Sequence, residues 1–291
     1  MGGDGDLGAR DPWGGAGDLA ATDVAAHDGL GFGAGLREGE GGVRLTLAHL
    51  YPDLLNIYGD RGNVLALVRR AAWRGIELTV RPVRVGEGCD WAAVDLACIG
   101  GGEDGKQAVA AADLVLRGEG LRAAVAAGLA LLAVCGGYQL LGQYYQPAQG
   151  ARMEGIGVFD AHTVAGGPRL IGNVVVDGAL GSLVGFENHS GRTALGPGAV
   201  PLGRLRGGRG GGNNGRDGGE GCWTGHCIGT YLHGSLLPKN PVLADFLLRG
   251  AVARRYGPEV AARVVTPLPD AAEALAHRVA EGLARRRRRG S

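Results

Sequence analysis

The chain has 291 residues and a formal net charge of +1, long enough for one large domain or two small ones with a full core, and without a global field that draws it to nucleic acid, an anionic membrane or a polyanionic substrate. Glycine is very frequent, 58 of 291 residues, so glycine-rich stretches carry less functional weight here than usual. Five cysteines without framework spacing suit reduced thiols, no apolar run approaches the roughly 20 residues of a membrane span, and no basic-then-apolar leader opens the sequence; the expected location is the cytoplasm, with no membrane insertion.

Residues 1–42 are Gly, Ala and Asp with almost no apolar periodicity, the composition of a disordered, mildly acidic tail. Residues 43–50 predict a strand closed by Pro52. Asn63 then opens a helix with Val64, Leu67, Val68 and Ala71 on one face, stopped by Gly75. Residues 77–85 and 94–99 predict strands, the second ending in Gly100-Gly101-Gly102. A helical stretch runs to about Ala127, residues 129–134 form another apolar strand, and a helix over 138–145 follows Cys135. Strands alternating with helices imply an α/β fold, a mostly parallel twisted sheet with helices on both faces. Beyond about Gly150 the pattern becomes strand-rich, with strands expected at 157–164, 169–177, 183–187 and 227–232 and a loop at 207–221. Pro241 at a first helical position opens a core helix through Leu248. Near the end, Asp270 is placed to cap a helix whose Leu275, Val279 and Leu283 share one face, the signature of a packing or docking helix. The run Arg285 to Arg289 then reads as a solvated basic tail.

The segment Leu131-Leu132-Ala133-Val134-Cys135-Gly136-Gly137-Tyr138-Gln139 carries the strongest chemical signal. An apolar strand delivers a thiol to a sharp turn, and the following glycines permit a strained backbone and a close substrate, as in a nucleophile elbow. Free N–H groups at the helix start favour the thiolate. Cys89 and Cys98 lack this context and read as core residues. An attacking thiolate needs donors for an oxyanion; the Gly136 amide is one candidate, and the Gly100 to Gly102 loop, with Gly101 and Gly102 foremost, is the second. Two histidines compete as base. His233 follows an apolar strand and precedes a glycine, as Cys135 does, and His189 lies in Phe186-Glu187-Asn188-His189-Ser190-Gly191-Arg192. Cys222, His226 and Cys227 lack a fourth ligand at a familiar zinc spacing, so no metal is expected. Gly100 to Lys106 nearly matches a phosphate-binding loop, but Gln107 stands where magnesium ligation needs Ser or Thr, and Glu103 and Asp104 oppose phosphate. No nucleotide or other cofactor is therefore expected.

Residues 51–63 (YPDLLNIYGDRGN), 100–107 (GGGEDGKQ), 131–139 (LLAVCGGYQ), 169–173 (RLIGN), 186–193 (FENHSGRT) and 230–240 (TYLHGSLLPKN) jointly resemble the cobyric-acid-synthase-like branch of class I glutamine amidotransferases. Within it they resemble the free-standing glutaminase subunits of lipid II isoglutaminyl synthase. The likeness spans residues 43–250, implies a flavodoxin-like amidotransferase domain with an added strand-rich second half, and leaves 251–291 as a helical extension. It further implies a glutamyl thioester on Cys135, His233 as base, and Arg169 as a glutamine-binding residue. Ammonia would pass to a Mur-ligase-like (MurT-type) subunit that uses ATP to amidate the D-glutamate of lipid II, so lipid II is reached through the partner. Many class I enzymes carry Glu two residues after the histidine, where this chain has Ser235; the cobyric-acid-like branch generally lacks that Glu, so the resemblance implies a Cys–His dyad, with Glu187 and Glu103 as candidates to orient His233. The alternatives are a glutaminase serving another ligase, as in cobalamin-type amidation, and a non-catalytic scaffold of the same fold.

Overall fold

A computed structural model describes residues 42–208, 210–233 and 235–286. Of the tail expected over residues 1–42, residues 1–41 lie outside the described residues, as does the basic run from 287 onward, whereas Arg285 and Arg286, expected in that run, end the last helix. In chain order the elements are β1 (Arg44–Leu50), α1 (Arg61–Ala72), β2 (Glu77–Val83), β3 (Leu96–Ile99), α2 (Asp104–Ala126), β4 (Ala130–Val134), α3 (Gly136–Leu141), β5 (Tyr144–Gln146) and β6 (Met153–Glu154). There follow β7 (Ala161–Gly178), β8 (Gly181–Leu195), β9 (Gly203–Gly208), β10 (Gly219–Glu220), β11 (Cys222–Thr224), β12 (Cys227–Thr230), α4 (Leu236–Lys239), α5 (Pro241–Tyr256), α6 (Pro258–Val264) and α7 (Ala271–Arg286).

The first sheet has the order β11-β12-β4-β3-β1-β2 and is parallel throughout except for the edge pair of β11 with β12. Its inner strands β3 and β4 are buried at every position, which is why they read as continuous apolar runs rather than alternating ones. Helix α5 packs on β3 and β4 beside α1, while α2 and α3 form a separate contact group. A second sheet, β10-β9-β7-β5-β6 with β8 paired to β7, supplies the strand-rich half.

Several predicted elements shift. The helix after Cys135 ends at Leu141, and Tyr144 and Tyr145 instead pair with Glu154 and Met153 as strand; extended backbone at Gly142 breaks the helix, and the aromatic residues suit the sheet. The strands expected at 157–164 and 169–177 are one strand, β7, whose pairing with β8 is irregular between Ala165 and Leu170. β8 is far longer than 183–187 and carries all of residues 186–193. Helix α5 continues through Gly250 to Tyr256.

Asp270 stands immediately before α7, its carbonyl accepting from the Ala274 N–H at 2.9 Å, and its side chain accepts from Arg70 Nη1 at 2.6 Å. Arg70, 2 % exposed, also meets Asp245 through Nε at 2.8 Å, tying α1, α5 and the start of α7 together. The large residues of α7 do not pack: Leu275, Val279 and Leu283 are exposed, and the small Ala280 and Ala284 meet Val175 and Val184 of the second sheet. Small side chains let the helix lie close on the strands, which leaves the bulky stripe outward.

Candidate active site

Strands β12, β4, β3 and β1 lie side by side and parallel, so their carboxyl ends share one edge, where α/β sheets gather their sites. Each end contributes. β4 stops at Cys135, β12 leads three residues on to His233, β3 leads to Gly101, and the loop after β1 carries Asp60.

Cys135 takes φ 51° and ψ −106°, a conformation that L-residues hold only when the surroundings enforce it. Its N–H donates to Thr230 O at 2.8 Å, fixing the turn to the neighbouring strand. His233 is fully buried, and its backbone is pinned to β8: its N–H donates to Phe186 O at 2.7 Å. The ring nitrogen Nδ1 faces Asp60 Oδ1 at 3.4 Å, and Asp60 Oδ2 accepts from the Gly101 N–H at 2.7 Å. With Nδ1–H directed at Asp60, Nε2 is left for Cys135. Burial disfavours the imidazolium, but the charge of Cys135 and hydrogen bonds with Asp60 and Cys135 outweigh it and push the His233 pKa up to about 10.

Gly101 is required by space. A Cβ there would stand 3.0 Å from His233 Cε1 and 3.1 Å from Cys135 Cβ, directly between them. Its amide, expected as an oxyanion donor, is engaged by Asp60. Gly102 and Gly136 border the cleft and head the elbow helix respectively, and the first N–H groups of a helix have no internal acceptor.

The carboxylates expected beside His233 are elsewhere. Glu187 accepts from the amides of Gly211 and Gly212 and lies 3.6 Å from His189, and Glu103 stands exposed at the cleft mouth. Ser235 donates to Gly59 O at 3.2 Å. The group facing His233, Asp60, went unmarked in the sequence although it lies in the motif 51–63; its signal was an acidic residue in the loop leaving a parallel strand's carboxyl end. His189, the rival base, stacks on Tyr231 with centroids 3.6 Å apart and points Nδ1 at Gly191 O, 3.0 Å away. Burial lowers its pKa, against the pull of Glu187.

A cleft of about 650 Å³ opens over Cys135, lined among others by Gly102, Gln107, Gln139, Arg169 and His189. Arg169 reaches it from the irregular stretch of β7, the kind of interruption that re-aims a side chain. Beneath the elbow runs a buried chain that the sequence did not reveal. Gln107 donates to Gln139 at 2.9 Å, Gln139 to the Tyr231 hydroxyl at 3.2 Å, and Tyr231 and Thr163 each lie 2.7 Å from Thr193 Oγ1. It joins the nucleophile turn to the second sheet.

This fold, with a strained cysteine and a buried histidine at one sheet edge, is that of the class I glutamine amidotransferases. The CobB/CobQ-like glutamine amidotransferase domain matches residues 46–241, and the chain belongs to that family. The GatD subunit of lipid II isoglutaminyl synthase (glutamine-hydrolyzing) from Staphylococcus aureus strain N315 is 41% identical over 212 residues, covering 72% of this chain and 86% of that protein. The same subunit from Streptococcus pneumoniae strain R6 is 37% identical over 248 residues, covering 84% and 92%. A solved glutamine amidotransferase, 20% identical, superposes with TM-score 0.50 over 72% of this chain and 99% of its own, a likeness of fold alone. Among the described residues no helix is long and apolar enough to cross a membrane.

Proposed function

We propose that the chain is the glutaminase subunit of a lipid II-amidating ligase, acting through Cys135, His233 and Asp60. The observation that carries this is the contiguous arrangement of the three side chains at one sheet edge, with Gly101 between nucleophile and base. Cys135 as thiolate attacks the glutamine carboxamide carbon, and the Gly136 and Gly102 amides bind the resulting oxyanion. As the intermediate collapses, the C–N bond breaks and His233 delivers its Nε2 proton to the leaving nitrogen, which departs as ammonia. The neutral imidazole then takes a proton from water, whose oxygen attacks the thioester and releases glutamate and the thiolate. Asp60 holds the tautomer and supports the imidazolium, as the acid of a nucleophile–His–Asp triad does. Arg169 binds the glutamine carboxylate.

The ammonia goes to a Mur-ligase-like (MurT-type) subunit that activates the D-glutamate carboxyl of lipid II with ATP, in the cytoplasm. The likeness to two GatD subunits over most of their length supports this destination. The test is ammonia release from L-glutamine by the full chain, alone and with a Mur-ligase-like subunit, beside Cys135→Ala and His189→Ala. Release lost in Cys135→Ala and retained in His189→Ala is expected; no release by folded wild-type chain in either setting defeats the proposal.

A further inference from the structure

The walls of the cleft carry opposite charges in fixed positions, and from them we infer that Asp104 binds the α-ammonium group of L-glutamine and so selects the free amino acid; this rests on the glutaminase reading above. Asp104 is the first residue of α2 and lines the cleft. Its Oδ1 accepts from the Tyr145 hydroxyl at 3.1 Å, and Tyr145 is only 2 % exposed. A buried donor therefore holds this carboxylate in place, whereas no such bond fixes its neighbour Glu103, which makes Asp104 the better reader of a small cation. Burial, followed by the charge of Asp104, keeps the Tyr145 phenol protonated and donating.

Ser190 lines the same cleft. Two residues before Ser190, Asn188 takes Arg169 Nε on its side-chain oxygen at 3.0 Å and Arg169 Nη2 on its carbonyl at 2.9 Å. Arg169, Asn188, Ser190, Tyr145 and Asp104 all line the cleft over Cys135 and form its rim, which carries both a guanidinium and a carboxylate. Free glutamine is a zwitterion. With its carboxamide at Cys135 and its carboxylate on Arg169, its ammonium group is left to Asp104, the cleft carboxylate held by a buried donor. A glutaminyl side chain in a peptide has an acylated nitrogen and cannot charge-match Asp104, so the rim spares protein and peptide amides.

The test uses two thiol-reactive mimics, 6-diazo-5-oxo-L-norleucine and its deamino counterpart 6-diazo-5-oxohexanoate. In each, the diazo carbon gains a proton, the Cys135 C–S bond forms, the C–N bond breaks and dinitrogen leaves. Labelling rates of the full chain are followed by intact mass. Wild type should favour the amino probe by about 10- to 100-fold, the range of a hydrogen bond between charged partners. Asp104→Asn should bring that ratio close to 1, and Tyr145→Phe should lower it by a smaller factor. A ratio unchanged in Asp104→Asn, or rates falling equally for both probes, overturns the assignment. Wild-type chain that reacts with neither probe and releases no ammonia overturns the glutaminase reading itself and this inference with it, a result distinguishable because it appears before any substitution.

Discussion

Replacing Asp60 by Asn tests the least expected member of the site. Each Asp60 oxygen faces one N–H donor, Gly101 N at 2.7 Å and His233 Nδ1 at 3.4 Å, whereas a carboxamide offers a single acceptor. If the amide oxygen keeps Gly101, its NH₂ faces His233 Nδ1, which must then accept; the imidazole proton moves to Nε2 and confronts Cys135 in the wrong tautomer. The attraction lost is bounded by Coulomb's law: unit charges 3.4 Å apart at an effective dielectric of about 20 interact by about 5 kcal/mol. At 1.36 kcal/mol per decade this caps the loss between roughly three and four decades. Part of it returns through repacking, so kcat for glutamine hydrolysis should fall by about 10²- to 10⁴-fold with KM little changed. Steady-state glutamate formation with the ligase subunit present measures it, with circular dichroism to verify folding. A folded Asp60→Asn protein within about threefold of wild-type kcat would refute the triad argument.

Three further predictions concern the surroundings. Gly101→Ala places a methyl 3.0 Å from His233 Cε1 and 3.1 Å from Cys135 Cβ, so turnover should drop at least about tenfold and stability by about 1–3 kcal/mol; retained turnover would show that the two side chains have room to part. Glu220 is wholly buried, and burial pushes its pKa from the ordinary 4.5 up to about 7. Since the folded value lies above the unfolded one, its stabilising protonation is complete below pH 4.5 and lost as pH rises through about 7. Glu220→Gln should therefore gain stability relative to wild type between pH 5 and pH 8, by up to about 3 kcal/mol, and parallel unfolding curves at the two pH values would contradict this. Arg70→Met removes the partner of Asp270 and leaves Asp245 with its bond from Arg74 Nη2, and should cost about 1–3 kcal/mol in urea unfolding, with early proteolysis between α5 and α7; a loss below about 1 kcal/mol would mean that the pairs are merely superficial.

Cys135 and His233 were legible because both follow apolar strands and precede glycines, and a parallel sheet places strand ends together whatever lies between them in sequence. Arg169, expected from family likeness alone because nothing local distinguishes it from other arginines, lines the cleft. Asp60 stayed hidden because its partners Gly101 and His233 are 41 and 173 residues away, and no periodicity encodes such a meeting. Strand β7 reads as two strands in the sequence because Gly166-Gly167-Pro168 has turn chemistry, which pairing with β8 overrides through one irregular register. In α7 the spacing identified an apolar face correctly but not the side that packs, since the decision lay with the shape of the strand surface beneath it.

The position of β12 in the sheet has a temporal consequence. His233 is the last of the three side chains to be synthesised, and it reaches Cys135 only when β12 is added beside β4. Every strand of the second sheet and the loop joined to Glu187 precede it in the chain. A nascent polypeptide, or one truncated before β12, therefore holds Cys135 without His233. On the mechanism proposed above, glutamine hydrolysis then waits until translation has passed β12.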